Sequence, residues 1–201
     1  MPDVLEKALR VAQGLPAAAA LALAFVLVAC GGSAGTGGAA AADPVPPDDY
    51  VRSVCRAVSD WNDDVAAAFR ATDELPDSDR PSIIRRDFVG FFDQLQEVTD
   101  DLVARVEDAS RPDLPEGEAA AAALQSGVRA AANELAANRD DFAAIPLSDV
   151  EPAASLEGAL TVMAEQFDAV YRSVEGLDDA APALAQAREH EPACHELRQL
   201  D

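Results

Sequence analysis

Four long segments of this chain carry apolar residues at alternating spacings of three and four, and this pattern most constrains the fold. The first segment runs from about Asp48 to Ala71, and its apolar stripe is Val51, Val54, Val58, Trp61, Val65 and Ala68. Such spacing is typical of a helix that buries one face, and no stretch alternates with the period of two expected of a strand. The sequence therefore predicts an all-α domain.

Three further segments repeat this pattern. They run from about Pro81 to Ala109, from near Pro115 to about Phe142, and from about Ser148 to Glu175. Their stripes are Ile84, Phe88, Phe91, Leu95, Val98, Leu102 and Val106; Leu124, Val128, Ala131, Leu135 and Phe142; and Leu156, Leu160, Met163, Phe167, Val170 and Val174. Short connections between long helices favour antiparallel neighbours. We expect an up-down four-helix bundle, followed by a tail of two short helices at about Asp179–His190 and Pro192–Leu200.

The N-terminal segment has the features of a cleaved leader. Lys7 and Arg10 precede an apolar run, Pro16–Ala29, that is too short to span a bilayer but long enough for a signal-peptide core. The run ends in Leu27-Val28-Ala29-Cys30, which resembles the lipobox of bacterial lipoproteins. That resemblance implies a diacylglyceryl group on the Cys30 thiol, cleavage before Cys30, and anchoring at the extracytoplasmic face of the cell membrane. The alternatives are an ordinary cleaved signal and an uncleaved anchor.

The chain divides into three parts on this interpretation. Residues 1–29 form the signal peptide, residues 30–49 a lipidated flexible tether, and residues 50–201 the helical domain. The tether begins with a stretch rich in glycine and alanine and continues with a stiffer stretch that contains three prolines. The chain from Cys30 onward is long enough for one domain with its own core.

The cysteines provide a test of the topology. The chain has three, and lipidation of Cys30 would leave Cys55 and Cys194 as an even pair. In an exported protein such a pair usually forms a disulfide, and an up-down bundle returns the tail to the start of the first helix. We therefore predict a Cys55–Cys194 bond. Buried free thiols and an intermolecular bridge are the alternatives.

The charge limits the partners. The formal net charge is −22, and the chain after the leader contains no lysine. So acidic a surface argues against nucleic acid and against electrostatic docking onto anionic lipid headgroups. It favours cationic partners or simple solubility.

Residues that could carry catalysis or bind a metal are scarce. The only two histidines, His190 and His195, lie in the tail with Glu189, Glu191, Cys194 and Glu196, a cluster that could hold a metal such as zinc. Because the histidines are five apart with a proline between them, and the sulfur is assigned to the disulfide, we predict no metal site. The acidic segment Asp73–Asp79 has no central glycine for a calcium loop. No nucleophile motif is present, so we predict no catalytic residues and no cofactor.

A few polar or aromatic residues lie on or beside the stripes. Trp61 could stack on a ligand, but its spacing favours core packing. Arg85 and Arg86 could bind an anion or pair with neighbouring acids. Arg105 and Asn138 could line a small polar pocket or simply flank the buried face.

These observations predict a non-enzymatic lipoprotein that acts as an interaction module at the cell envelope. Its partners would be the membrane, through the lipid on Cys30, and an envelope protein or polymer. The turns at 72–81 and 145–152, far from the tether, are the natural candidates for an outward binding surface. The alternative function is a carrier for a small cationic ligand or a metal ion held between helices.

Overall fold

The computed structural model describes residues 43–72, 80–145 and 152–197. These residues are mostly helical and contain no strand, which confirms the predicted all-α class. The predicted signal peptide, Cys30 and residues 31–42 of the predicted tether lie outside the described residues, as do the turn residues 73–79 and 146–151.

Six helices are described in chain order. They are α1 (Pro47–Thr72), α2 (Pro81–Asp108), α3 (Gly117–Ala144), α4 (Pro152–Ala180), α5 (Pro182–His190) and α6 (Pro192–Leu197). The first four correspond to the four predicted segments and the last two to the predicted tail, although α5 begins at Pro182 rather than at Asp179.

Prolines set several of the helix boundaries. Arg80, Ala181 and Glu191 each precede a proline, and each has an extended backbone with ψ angles of 115°, 138° and 118°. The ring of a proline disfavours the helical conformation for the residue before it, yet suits the first turn of the helix that follows. Proline therefore both keeps the preceding residue out of a helix and begins the helices α2, α5 and α6.

Two boundaries of the long helices also differ from the sequence prediction. The fourth helix continues past Glu175 to Ala180, because Leu177 extends its buried face and the next proline is not reached until residue 182. The third helix begins at Gly117 rather than near Pro115. The Gly117 N–H donates to the Leu114 carbonyl at 3.0 Å, so the proline lies in a turn before the helix.

Consecutive long helices pack against each other: α1 on α2, α2 on α3, and α3 on α4. Along α2 and α3 the paired residues run in opposite order, since Asp93 contacts Arg139 whereas Glu107 contacts Arg129. The short helix α5 packs on α1 and α4, and α6 packs on α1. The tail thus lies against the first helix of the domain.

The predicted stripes supply much of the core. All six stripe residues of α1 and all five of α3 are buried. The α2 stripe is only partly buried, because Ile84, Phe88 and Val98 are half-exposed. Two neighbours that the prediction left out, Phe92 and Thr99, are buried instead. The buried face of α2 is therefore rotated slightly toward these two residues.

Candidate functional site at the tether end

The chain enters the helical domain through a short backbone bridge. The Val45 N–H donates to the Arg111 carbonyl at 3.0 Å, and the Asp113 N–H donates to the Val45 carbonyl at 2.7 Å. This bridge, which pairs Val45 with Pro112, fixes the incoming chain beside the turn between α2 and α3. Val45 also packs on the core with its half-buried side chain. The entry point is therefore held by main-chain bonds and apolar contact together.

Gly117 lets the turn that receives Val45 close. A Cβ atom at Gly117 would lie 2.0 Å from the Pro112 carbonyl oxygen, a separation that no side chain tolerates. Glycine is required here because of this close approach of backbone to backbone. Any larger residue would displace the peptide against which Val45 is bonded.

The Cys55–Cys194 disulfide lies near the same end of α1. The bond joins Cys55, about two turns into α1, to Cys194 in α6. The two Cα atoms are 5.2 Å apart, and both residues are buried. The prediction of this bond is confirmed. We call Val45, Pro112, Asp113 and the disulfide the tether end of the domain. Cys55 follows the start of α1 by eight residues, which is roughly 12 Å along the helix axis.

Ion pairs also attach the tail to the long helices. Arg52 on α1 contacts Asp49 at 2.6 Å and Glu191, between α5 and α6, at 3.2 Å. Hydrogen bonds to Asp49 and Glu191 raise the pKa of Arg52. Arg188 on α5 donates through both Nε and Nη2 to the Asp178 carboxylate on α4, and this hydrogen bonding raises the pKa of Arg188. The Arg188 pair is the better shielded of the two, so we expect it to contribute more than an exposed pair.

The structure gives the partners of several polar atoms in the tail cluster. Cys194 has no free thiolate because its sulfur is in the disulfide. The His190 Nδ1 donates to the Gln186 carbonyl at 2.7 Å, and the His195 Nε2 donates to the Glu189 carbonyl at 2.5 Å. Each histidine thus uses one ring nitrogen in a bond to a backbone carbonyl. Within residues 43–72, 80–145 and 152–197, no three potential ligands are grouped as a metal site would require.

Trp61 is a core residue with its polar atom satisfied. It is 2% exposed, and its indole N–H donates to the Thr99 hydroxyl at 3.2 Å. The Thr99 hydroxyl in turn donates to the Leu95 carbonyl at 2.7 Å. Phe167 and Tyr171 of α4 meet the indole edge-on, with ring centroids 5.2 and 6.1 Å away. Trp61 thus connects α1 to α2 by a hydrogen bond and to α4 by aromatic packing.

The two polar residues beside the stripes also have partners on neighbouring helices. Arg105 of α2 contacts Asp60 of α1 at 3.1 Å and is exposed. The Asn138 side-chain amide of α3 donates to the Ala159 carbonyl of α4 at 3.0 Å. Both residues therefore flank the buried face and link helices.

The structure separates the two arginines at the start of α2. Arg86 is exposed and pairs with Asp87 at 2.7 Å. Arg85 is half-buried, and its Nη2 atom is buried with no hydrogen-bond partner among the described residues. Of the two alternatives for these arginines, pairing with a neighbouring acid is found within the described ranges at Arg86.

Sequence reasoning missed the Val45 bridge and the hydrogen bond of Trp61. The bridge uses backbone atoms only, so no side-chain pattern could have revealed it. Thr99 could have been found, because it lies four residues after Leu95 and three before Leu102 on the predicted stripe.

Comparison of the chain with models of protein families, with curated proteins and with solved structures finds no match. The function therefore has to be argued from the residues of this chain alone.

Proposed function

We propose that this protein is a lipid-anchored module of the bacterial cell envelope that binds another envelope component without catalysing a reaction. The lipid is a diacylglyceryl group on Cys30, and residues 1–29 are removed as a signal peptide. The observation that carries the proposal is the Leu27-Val28-Ala29-Cys30 sequence at the end of an apolar run. Two or more acyl chains suffice for stable attachment, whereas one would be marginal.

The entry of the chain at Val45 supports this arrangement. Residues 31–44 would form the free leash between Cys30 and the bonded Val45, and a fully extended leash of this length spans at most about 50 Å. The Gly/Ala-rich part of such a leash averages a much shorter end-to-end distance. The proposed lipid would therefore keep the domain close to the bilayer. Of the helices that the structure describes, none combines the length and the apolar character needed to cross a membrane.

The proposed architecture is an up-down four-helix bundle formed by α1 to α4, with α5 and α6 folded back on α1. The opposite order of paired residues on α2 and α3, the aromatic contacts between α1 and α4, and the disulfide between α1 and α6 all support it. In this arrangement the tether end faces the membrane. Thr72 and Arg80, and Ala144 and Pro152, which lie on either side of the two segments outside the described residues, would be at the opposite end.

A binding role suits the chain better than a carrier role. A carrier needs polar groups between helices that are free to hold a ligand. The three residues that were candidates for this task, Trp61, Arg105 and Asn138, each hold a partner on a neighbouring helix. The partner of the module is an envelope protein or polymer, and the charge of −22 favours one that carries cationic groups.

Expression in a bacterium that matures lipoproteins tests the anchor. We expect the wild-type chain in the membrane fraction, with an acylated N-terminal peptide that begins at Cys30 by mass spectrometry. The Cys30→Ser variant should lose both properties, whereas a Ser33→Ala control should keep them. Membrane attachment of Cys30→Ser with unchanged mobility would refute the lipoprotein proposal.

Two measurements then distinguish binding from carriage. Crosslinking in cells should recover the same envelope partner with wild-type protein, and recovery should fall when the Cys30→Ser variant leaves the membrane. Equilibrium dialysis with metal analysis should find no stoichiometric metal. Retained metal at one equivalent, with no crosslinked partner, would favour the carrier.

A further inference from the structure

The seam between α1 and α4 differs from the other contacts between long helices. The helices α3 and α4 pack so closely that a Cβ at Gly127 would lie 2.2 Å from the Ser173 hydroxyl. Among the described residues, the backbones of α1 and α4 do not pack closely against each other. Long side chains join them instead, since the Tyr171 hydroxyl donates to the Asn62 side-chain oxygen at 3.1 Å. A seam that is spanned by side chains leaves space between the two helices.

The tail fills this space at the tether end. Cys194 of α6 is bonded to Cys55 of α1, and Arg188 of α5 pairs with Asp178 of α4. The helix α5 packs on both α1 and α4, and α6 packs on α1. Cys55 precedes Asn62 by about two helical turns. Two helices of the chain itself therefore cover the tether-end part of the seam.

The burial of apolar residues changes along the seam. Where the tail covers it, Val51 of α1 and Leu177 of α4 are 0% and 1% exposed. Farther from the tether end, α1 and α4 present a second set of residues at spacings of three and four, of which Ala164 is exposed and the others are half-exposed. We call this part the open seam, and the described residues that line it are Asn62, Ala66, Leu160, Ala164, Phe167 and Tyr171.

The open seam has the size and the chemistry of a groove for one helix. From Leu160 to Tyr171 it extends roughly 16 Å along α4, the length of about three helical turns. Most of its lining side chains are apolar or aromatic. Asp63 and Asp168, which directly follow Asn62 and Phe167 in the chain, are exposed and form no ion pair with another described residue. The rim therefore carries negative charge, as does the domain as a whole.

We propose that the open seam binds a helix of a partner protein that carries an apolar stripe flanked by arginine or lysine. The tail provides the precedent, because α5 packs as a helix in the same seam and a bound helix would continue that packing. Amphipathic helices bind apolar grooves through side chains at spacings of three and four. Cations beside that stripe would face Asp63 and Asp168. This inference rests on the binding role proposed above and states the chemistry of the partner.

A synthetic peptide is the probe for the open seam. It has about three to four helical turns, with leucines on one face, lysines beside them and alanines elsewhere. A second peptide of the same composition has its leucines scattered around the helix. Trp61 is the only tryptophan, and its ring meets Phe167 edge-on, so its fluorescence reports on the seam. With the purified, oxidised protein we expect a saturable fluorescence change for the first peptide and none for the second.

Substitutions of exposed residues locate the binding surface. Ala164→Gln adds a long neutral side chain to the open seam and should weaken peptide binding by about 10-fold or more. Ala122→Gln, at an exposed position of α3, is the matched control and should change nothing. Asp168→Asn should weaken binding by about 2- to 5-fold at low salt, and the difference should shrink at high salt. Asp101→Asn, at an exposed position of α2, is its control.

Three results would overturn the inference. The first is the absence of a saturable response, or equal peptide binding by Ala164→Gln and the wild type. The second is equal binding of a peptide with glutamates in place of the lysines. The third is a dimer in sedimentation that Ala164→Gln dissociates, because the occupant would then be a second copy of this chain. If the peptide fails while crosslinking in cells still recovers an envelope partner, the inference fails and the proposed function stands.

Discussion

Removal of the Cys55–Cys194 disulfide should lower stability by several kilocalories per mole. The two cysteines are 139 residues apart, so the bond closes most of the helical domain into one loop. The chain-entropy relation for a loop of this length gives about 5 kcal/mol at 25 °C, as an upper value. The free energy of unfolding of a single domain is typically about 5–15 kcal/mol, so the disulfide would supply a large part of it.

The effect should be visible in thermal melts followed by circular dichroism. For a domain of this size a loss of 1 kcal/mol lowers the melting temperature by about 2–4 °C, so the full loss corresponds to roughly 10–20 °C. We expect this shift when the purified protein is reduced, and a similar one in the Cys55→Ala, Cys194→Ala double variant. Reductant added to the double variant is the control and should change nothing.

The position of the bond predicts which part of the protein responds first. The disulfide joins α6 to α1, whereas α5 has its own ion pair to α4 through Arg188 and Asp178. After reduction, amide exchange should accelerate most in α6. A reduced protein that melts within about 2 °C of the oxidised one would refute the reasoning, because the entropy that the bond removes from the unfolded chain would then contribute almost nothing to stability.

Three further predictions concern packing and ionisation. Gly127→Ala should destabilise the protein by about 1–3 kcal/mol in urea denaturation, because a Cβ there would lie 2.2 Å from the Ser173 hydroxyl. The control Gly90→Ala, where nothing lies within 4 Å of the added Cβ, should instead stabilise the protein by about 0.5–1 kcal/mol. Equal effects of the two substitutions would contradict the close approach at Gly127. Trp61→Phe should cost about 1–3 kcal/mol through lost volume and the lost hydrogen bond to its threonine acceptor, and a loss below about 0.5 kcal/mol in the same assay would argue against that bond. Burial raises the pKa of Tyr50 to about 12. The contribution of Tyr50 to the free energy of unfolding should therefore be constant below pH ~10, where the tyrosine of the unfolded chain is neutral, and should fall by about 1.4 kcal/mol per pH unit between pH ~10 and ~12. Urea denaturation across this range should show the decline in the wild type but not in Tyr50→Phe, and a decline of equal size in both would remove Tyr50 as the cause.

The helices could be predicted because their determinants are local. The period of the apolar stripes and the prolines at 81, 182 and 192 act within a turn or two of each residue. The same locality explains the errors. The periodicity predicts an end of the fourth helix near Glu175, whereas Leu177 is buried and the helix continues to Ala180. The packing of α5 on α4, which no single stripe reveals, accompanies this extension.

The pairing of Cys55 with Cys194 came from counting cysteines and from a topology assumption, and the structure confirms the bond. The role of Trp61 was also predicted from its place on the stripe. Its acceptor was not, because Thr99 lies 38 positions along the chain, on another helix. A stripe indicates that a residue is buried, but it does not indicate which polar group lies opposite.

The amino-acid sequence by itself determined the helical class, the breaks before prolines, the cysteine pair and the expectation of a lipid on Cys30. Each of these depends on neighbouring residues or on composition. Only the tertiary structure decided that Val45 is bonded beside Pro112, that Gly117 must lack a side chain, and that Arg85 is left without an acceptor among the described residues. These features arise where atoms far apart in the chain come within bonding distance, and the periodicity of a single segment carries no information about that distance.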